Sequence, residues 1–199
     1  MISLLTFAPV LAALLILFVP DGKPRVARLL ALLGALVSLV ATLAALSLFD
    51  PAGGLQFVER HAWIPALQVE YFVGVDGVSM LVLFLAALLA PVAVLASGDR
   101  EDRAKPYFCL LSLQFAGLFG AFTALNFFHW FLFWEAALVP AFFLIKLFGG
   151  RERHKAAIAF FLFTVLGSVV MLLGFVALYL ETGTFDFIAL ADKAAEGEL

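Results

Sequence analysis

The chain has 199 residues, of which 65% are hydrophobic and 14% charged, with a net charge of −3 and a mean hydropathy of +1.12. Soluble domains average about 45–50% apolar residues, so this composition excludes an ordinary soluble domain and predicts a membrane protein. The single cysteine, Cys109, excludes an intrachain disulfide and an iron–sulfur cluster held by thiolates of this chain.

Six apolar stretches are long enough to cross a bilayer, whose hydrocarbon core is about 30 Å thick. The sequence therefore predicts an all-α membrane protein, with about six transmembrane helices within residues 1–180. The predicted spans are 3–20, 29–48, 77–97, 107–124, 127–148 and 156–180. Residues 181–199 form a polar, acidic tail, which we interpret as the start of a loop cut short rather than as a seventh span.

The longest interior connection, residues 50–75, is too polar to span a membrane. Its short β-rich pieces predict a hairpin lying on the membrane surface. Asp76 directly precedes the third span, and its position favours a helix N-cap over a role in ion transfer. Asn126 leaves room for only a very short reversal between the fourth and fifth spans.

Basic residues concentrate in the loops at 21–28, 98–106 and 149–155. These three loops hold nine lysines and arginines, whereas the opposite side of the membrane holds only Arg60 and Lys193. The positive-inside rule therefore predicts that the three basic loops are cytoplasmic and that both termini lie outside.

Glu135 is the strongest candidate for chemistry, because it lies in the apolar interior of the fifth predicted span. An ionised group near the bilayer centre raises the free energy by at least about 2.5 kcal/mol, and such residues usually serve a function. A poorly solvated site favours the neutral carboxyl, which predicts that Glu135 binds and releases a proton. A neutral carboxyl retained for packing is the alternative. Pro140 interrupts the hydrogen bonding of the next turn, and we expect the loosened turn to admit water.

Lys146 lies eleven residues after Glu135, almost three turns further along and nearly on the same helix face. The rise along the helix separates their backbones by about 16 Å, which is too far for direct pairing. A lysine near the end of a span can extend its ammonium group to the interface, and this is the favoured reading. The alternative is that Lys146 takes up protons from the cytoplasm.

Four further polar or aromatic residues lie in the fifth and sixth predicted spans. Trp130 is expected in the aromatic belt at the membrane interface. His129 is expected to form an interfacial hydrogen bond, with proton relay as the alternative. Thr164 and Ser168, four residues apart in the sixth span, either bond back to helix carbonyls or line a hydrated path near Glu135.

Three stretches of this chain resemble one known family. GVDGVSMLVLFLAALLAPVAVLAS (74–97) resembles its third helix, FLFWEAALVPAFFLIKLFGG (131–150) its fifth, and AFFLFTVLGSVVMLLGFVALYLETGTFDF (159–187) its sixth helix and following loop. The family is subunit M of the bacterial proton-pumping NADH:quinone oxidoreductase (respiratory complex I), the counterpart of mitochondrial NADH dehydrogenase subunit 4. The resemblance runs in order over essentially the whole chain and concerns the N-terminal part of that subunit only.

That resemblance implies an antiporter-like fold and a subunit that couples quinone reduction to proton pumping, without a redox centre or autonomous catalysis in this chain. Glu135 corresponds to the family's fifth-helix glutamate, which pairs with a lysine on a broken seventh helix. This chain ends before such a helix, so the resemblance implies a truncated or split reading frame, or a fragment. Lys146 stands where the family more often has an uncharged residue.

The resemblance also implies partners and a location. The partners are lipid and the other membrane-arm subunits of complex I, among them neighbouring antiporter-like subunits, with quinone reached through the complex and no role for nucleic acid. No cofactor or metal is expected in this chain, and flavin and iron–sulfur clusters are expected in partner subunits. The expected location is the bacterial inner membrane. A cation/proton antiporter subunit of Mrp type and a non-pumping membrane scaffold from a truncated gene are the alternative functions.

Overall fold

The computed structural model describes residues 1–65, 69–98, 100 and 102–197. Residues 66–68, 99, 101, 198 and 199 lie outside the described part. The predicted hairpin, the predicted basic loop 98–106 and the predicted tail each include some of them.

The described residues form seven helices and one two-stranded antiparallel sheet. In chain order these are α1 (Ile2–Leu17), α2 (Pro24–Leu48), β1 (Gln56–Ile64), β2 (Val69–Val75), α3 (Gly77–Ala96), α4 (Ala104–Thr123), α5 (Phe127–Phe148), α6 (Arg153–Thr182) and α7 (Phe187–Glu196). The prediction of an all-α membrane architecture is confirmed, with the small sheet as an addition at one end of the bundle.

Five helices, α2 to α6, are long and apolar enough to cross a membrane. The first predicted span, 3–20, differs: α1 has 16 residues and is about 24 Å long. It ends at Leu17 because Pro20 disfavours helical backbone at the residue before it, and Gly22 then adopts a positive φ of 88°. The fifth predicted span coincides with α5.

The predicted hairpin at 50–75 is confirmed by the pairing of β1 with β2. Asp76 follows β2 directly, and its carboxylate accepts a 2.8 Å hydrogen bond from the backbone N–H of Ser79. Ser79 Oγ in turn accepts from the backbone N–H of Asp76, which completes a capping box for α3. The bond from the Ser79 backbone is the main reason that the pKa of Asp76 lies below its ordinary value. The prediction that Asp76 caps a helix is therefore confirmed.

The tail differs from the loop that we predicted, because it folds into α7. Asp186 caps this helix by accepting hydrogen bonds from the backbone N–H groups of Ile188 and Ala189. The stretch before α7 adds a short piece of sheet-like pairing: the Phe127 N–H donates to Phe185 O, and the Phe187 N–H donates to Leu125 O. The start of the tail is thereby fixed against the connection between α4 and α5.

Helices α1 and α2 pack closely around Gly34, where an added Cβ would lie 2.6 Å from the Cβ of Ala12. One turn later, the buried hydroxyl of Ser38 donates a 2.8 Å hydrogen bond to Leu5 O. Leu5 O lacks its usual helical donor because the residue four positions later is Pro9, which has no N–H. Ser38 thus satisfies, from the neighbouring helix, a carbonyl that proline leaves unpaired.

Helices α4 and α5 approach through two glycines of α4. A Cβ on Gly117 would lie 2.9 Å from the backbone N of Ala137, and one on Gly120 would lie 2.0 Å from the ring of Phe133. Only small residues permit such contact. Helix α6 packs at the edge of the bundle, where two of its thirty residues, Ala157 and Ser168, are buried.

Candidate functional site

Glu135 lies in the middle of α5 and is half-buried. Its Oε1 is enclosed by protein, and no hydrogen bond or ion pair reaches it from the part of the chain that the structure describes. An enclosed polar atom without a partner raises the free energy of the folded state by about 1–3 kcal/mol, and by more when it is charged. The chain therefore retains at this depth a carboxyl that its own described residues do not stabilise.

The face of α5 that carries Glu135 is directed towards α6. Glu135 lies four residues after Phe131 and seven before Phe142, a spacing that places the three on one helix face. Phe131 packs in a cluster that includes Phe175 of α6, and the Phe142 ring lies 5.3 Å from that of Phe161 of α6. The opposite face, with Phe133 and Ala137, packs against α4.

Ser168 lies on α6 at the same depth as Glu135. Two ring contacts define the pairing of the antiparallel helices: Phe127 stacks on Phe175 at 3.5 Å, and Phe142 meets Phe161. Glu135 and Ser168 each lie about midway between these contacts in sequence. The Ser168 hydroxyl is bonded back to Val165 O at 3.1 Å, so it does not stabilise Glu135 in this structure.

A cavity of about 290 Å³ lies beside this pair of helices, between α4, α5 and α6. Its lining is mostly apolar and includes Leu118, Leu138 and Phe160. Gln114 and Thr164 supply polar groups: Gln114 Oε1 is enclosed and unpartnered among the described residues, while Thr164 Oγ1 donates back to Phe160 O at 2.7 Å. Thr164 and Ser168 thus bond back to their own helix, one of the two alternatives left open by the sequence, while Thr164 also lines the cavity. Gln114 was missed, because a lone amide in an apolar helix carries no periodic signal.

Lys146 lies near the end of α5 and is half-buried. Its Nζ lies 5.2 Å from the centroid of the Phe142 ring, so the side chain points back along the helix. A cation over an aromatic face is stabilised by about 0.5–1 kcal/mol or more. The structure does not bring Lys146 to Glu135, and its proposed role in proton uptake is still a prediction.

His129 corrects the prediction of an interfacial hydrogen bond. The side chain is 1% exposed, and neither ring nitrogen has a partner among the described residues. Its ring lies between Tyr71, at 4.9 Å, and Phe133, at 4.8 Å. The sequence predicts an interfacial position for His129 because this residue lies at the start of the helix. In the structure, the hairpin covers that end of the helix and buries His129.

A polar cluster covers the same end of the bundle. Ser3 Oγ shares a 2.6 Å hydrogen bond with the Tyr71 hydroxyl and also donates to the Glu59 carboxylate, which forms an ion pair with the Met1 amino group. Burial acts to raise the pKa of Glu59, but the hydrogen bonds from Met1 and Ser3 hold it below the ordinary value. Burial raises the pKa of Tyr71.

A second cluster connects the hairpin to the tail. Arg60 contacts the carboxylates of Glu70, at 2.6 Å, and Asp186, at 3.1 Å, and its guanidinium carbon lies 4.5 Å from the centroid of the Phe72 ring. The bond to Glu70 is the largest contribution that raises the pKa of Arg60. This cluster is structural, since it joins β1, β2 and the cap of α7.

Comparison with known proteins agrees with this fold. Residues 124–198 match the family model described as "NADH:quinone oxidoreductase/Mrp antiporter, TM". The chain is 40% identical over 195 residues to NADH-quinone oxidoreductase subunit M of Rhodobacter capsulatus, covering 96% of this chain and 38% of the relative. It is 39% identical over 194 residues to F(420)H(2) dehydrogenase subunit M of Methanosarcina mazei, covering 92% of this chain and 38% of the relative.

The fold is also similar to that of a solved structure. A chain of respiratory complex I from Thermus thermophilus with bound NADH superposes with a TM-score of 0.81 at 30% identity, covering 96% of this chain and 38% of that one. The predicted resemblance to subunit M is thus confirmed along nearly the whole chain, and the fold is that of an antiporter-like membrane subunit. The chain spans about 38% of the length of these relatives.

Proposed function

We propose, from the sequence and fold shared with subunit M of NADH-quinone oxidoreductase, that this chain is a proton-translocating membrane subunit of such a complex. The observation that carries the proposal is Glu135: this chain holds a carboxyl in the middle of a membrane helix, and one of its oxygens is enclosed without a partner among the described residues. An intramembrane ionisable residue usually marks an ion pathway.

In this proposal, a positive charge that approaches Glu135 controls its proton transfer. Two unit charges 4 Å apart interact by about 4 kcal/mol at an effective dielectric constant of about 20. A cation approaching Glu135 favours the carboxylate, and its withdrawal favours the neutral acid, so movement of the cation drives release and uptake of one proton. Lys146 is about 16 Å away along the helix, so the cation comes from outside this set of helices.

The redox chemistry belongs to partner subunits in this proposal. Flavin and iron–sulfur clusters lie in those subunits, and this chain contributes proton transfer in the membrane arm beside other antiporter-like subunits. Quinone is reduced elsewhere in the complex. Twenty-eight of the thirty residues of α6 are not buried. The apolar surface of this helix is therefore available for contacts with further helices or lipid.

The location that we propose is the bacterial inner membrane, with the basic connections α1–α2, α3–α4 and α5–α6 on the cytoplasmic side. These connections meet at one end of the bundle, and the hairpin, the α4–α5 turn and α7 lie at the other. Nine lysines and arginines lie in these connections or in the first turns of α2, α4 and α6, against Arg60 and Lys193 at the other end, and this excess supports the orientation.

A cation/proton antiporter subunit of Mrp type is the second candidate, because the matching family model names both classes of protein. An affinity-tagged copy in the source organism separates them. If the proposal holds, the purified assembly contains flavin and iron–sulfur absorbance and reduces quinone with NADH. Small membrane subunits without redox cofactors would instead identify the antiporter.

A further inference from the structure

We propose that His129 is a proton-binding site at the hairpin end of the bundle, connected to solvent through Tyr71, Ser3 and Glu59. The inference deepens the proposed function, since it assigns one terminus of the proton path. The sequence predicts an interfacial hydrogen bond for this histidine, whereas the structure buries its ring beside Tyr71.

Two neighbouring polar side chains are buried without sufficient partners at the start of α5. His129 and Asn126 are each 1% exposed, and both ring nitrogens of His129 and Nδ2 of Asn126 have no partner among the described residues. Asn126 Oδ1 accepts a 3.0 Å hydrogen bond from the backbone N–H of Phe128, so only its side-chain N–H groups lack a partner among the described residues. Buried groups of this kind typically bind an internal water that makes about three hydrogen bonds.

A chain of hydroxyl and carboxylate groups begins beside His129 and reaches solvent. The Tyr71 ring centroid lies 4.9 Å from that of His129, and the Tyr71 hydroxyl shares a 2.6 Å hydrogen bond with Ser3 Oγ. Ser3 Oγ also contacts the carboxylate of Glu59, whose side chain is 23% exposed. One water between a His129 nitrogen and the Tyr71 hydroxyl completes the connection.

Proton release along this chain balances without any other reactant. The imidazolium of His129 gives its proton to the bridging water, while that water passes one of its own to the Tyr71 oxygen. The Tyr71 hydroxyl proton moves to Ser3 Oγ, and the Ser3 proton moves to the Glu59 carboxylate, which releases it to solvent. His129 ends neutral, and uptake follows the same steps in reverse.

The titratable groups near His129 come from the two strands of the hairpin and from the start of the chain. β1 supplies Glu59 and His61, whose ring lies 6.3 Å from that of Tyr71, and Met1, directly before α1, supplies an amino group that pairs with Glu59. Tyr71 of β2 is in ring contact with His129. Helix α4, which packs against α5, has no charged residue after Lys105. Glu59 is thus the nearby anion that can accept the proton.

The chain has three histidines, which permits a direct test. His61 and His154 are exposed, so H61Q/H154Q leaves His129 as the single histidine with little effect on folding. The full chain, labelled with ¹⁵N-histidine in lipid vesicles, is followed by solid-state NMR as the pH falls and after transfer to D₂O. We expect one neutral imidazole that becomes protonated on acidification and exchanges its ring N–H with solvent.

Substitutions in the relay identify the route. Y71F keeps the ring but removes the hydroxyl, and S3A interrupts the next step, so each is expected to slow exchange at His129 by about tenfold, as for loss of one hydrogen-bonded step. The matched control is Y179F, because the Tyr179 ring stacks on Phe185 at 4.2 Å, away from the relay. Unchanged exchange in both Y71F and S3A, or a His129 that neither titrates nor exchanges, would overturn the proposal.

The result is separable from the proposed function. Proton translocation that depends on Glu135 in the assembled complex, together with an inert His129, would refute the relay and leave the function intact. Translocation that is independent of Glu135 would refute the function, whatever His129 does.

Discussion

Ala137 of α5 lies so close to Gly117 of α4 that a Cβ on Gly117 would be 2.7 Å from the Cβ of Ala137 and 2.9 Å from its backbone N. Ala137 is two residues after Glu135, so this contact holds α5 against α4 next to the turn that carries the carboxyl. A glycine of another helix thus packs against the turn of α5 that follows Glu135, the residue that we propose carries the proton.

Gly117→Ala is therefore expected to lower the free energy of unfolding by about 1–3 kcal/mol, because the added methyl group meets backbone atoms that cannot rotate away. Thermal unfolding of the purified chain in detergent measures the change. The matched control is Gly174→Ala in α6, where an added Cβ has open space and helix propensity predicts no loss of stability. Equal losses in the two variants would contradict the close packing of α4 and α5.

Ser38→Ala is expected to lower the free energy of unfolding by about 1–3 kcal/mol, because it leaves the buried Leu5 carbonyl without a donor. Ser47→Ala is the control, since that hydroxyl is exposed and bonds to Ala44 O on its own helix. In a Pro9→Ala background the helix N–H of residue 9 is available for Leu5 O. The effect of Ser38→Ala should shrink there, and a double-mutant cycle without coupling would refute this account.

Asp76 gives a prediction about pH. Its pKa in the folded chain lies below the ordinary value of 3.8, so the cap stabilises α3 above that value and is lost as the pH falls through the folded-state pKa. Asp76→Ala should destabilise by about 1 kcal/mol at neutral pH. Asp76→Asn keeps a side-chain oxygen that can cap the helix but has no carboxyl to protonate. Below about pH 4 the free energy of unfolding of the wild type should therefore fall relative to that of Asp76→Asn. Parallel unfolding curves of wild type and Asp76→Asn over that range would contradict the capping role.

Asp186 caps α7 and also contacts Arg60, so Asp186→Ala removes two interactions at once. We expect faster backbone hydrogen exchange throughout α7 in that variant. Arg60→Gln should have a smaller effect, because its side chain is 51% exposed and exposed ion pairs contribute about 0–1 kcal/mol. Exchange in α7 that responds more to Arg60→Gln than to Asp186→Ala would show that the cap is unimportant.

Much of the helical framework could be predicted from the sequence, because its signals are local. Asn126 and the glycines at 149 and 150 bound an apolar run, and α5 occupies that run from Phe127 to Phe148. Asp76, directly before an apolar run, is in the position typical of an N-cap. In contrast, α7 has ten residues and too few turns for its amphipathic pattern to distinguish it from a polar loop.

The surroundings of the candidate site could not be predicted, because they depend on which helices pack together. Gln114 matters only because α5 and α6 enclose its carbonyl oxygen. His129 is buried because Tyr71 and the rest of the hairpin cover the start of α5, a contact between residues far apart in sequence. Glu135 could be identified from the sequence alone, since a carboxylate within an apolar span is conspicuous without any knowledge of packing.

The central claim is that Glu135 carries the transferred proton, and its most direct test is Glu135→Gln in the native assembly. Proton translocation per quinone reduced is measured in sealed membrane vesicles, with Glu181→Gln, an exposed carboxylate near the end of α6, as the matched control. We predict that Glu135→Gln lowers both coupled quinone reduction and the proton yield, whereas Glu181→Gln leaves them unchanged. Wild-type reduction rates and proton yield in a correctly assembled Glu135→Gln complex would contradict the account.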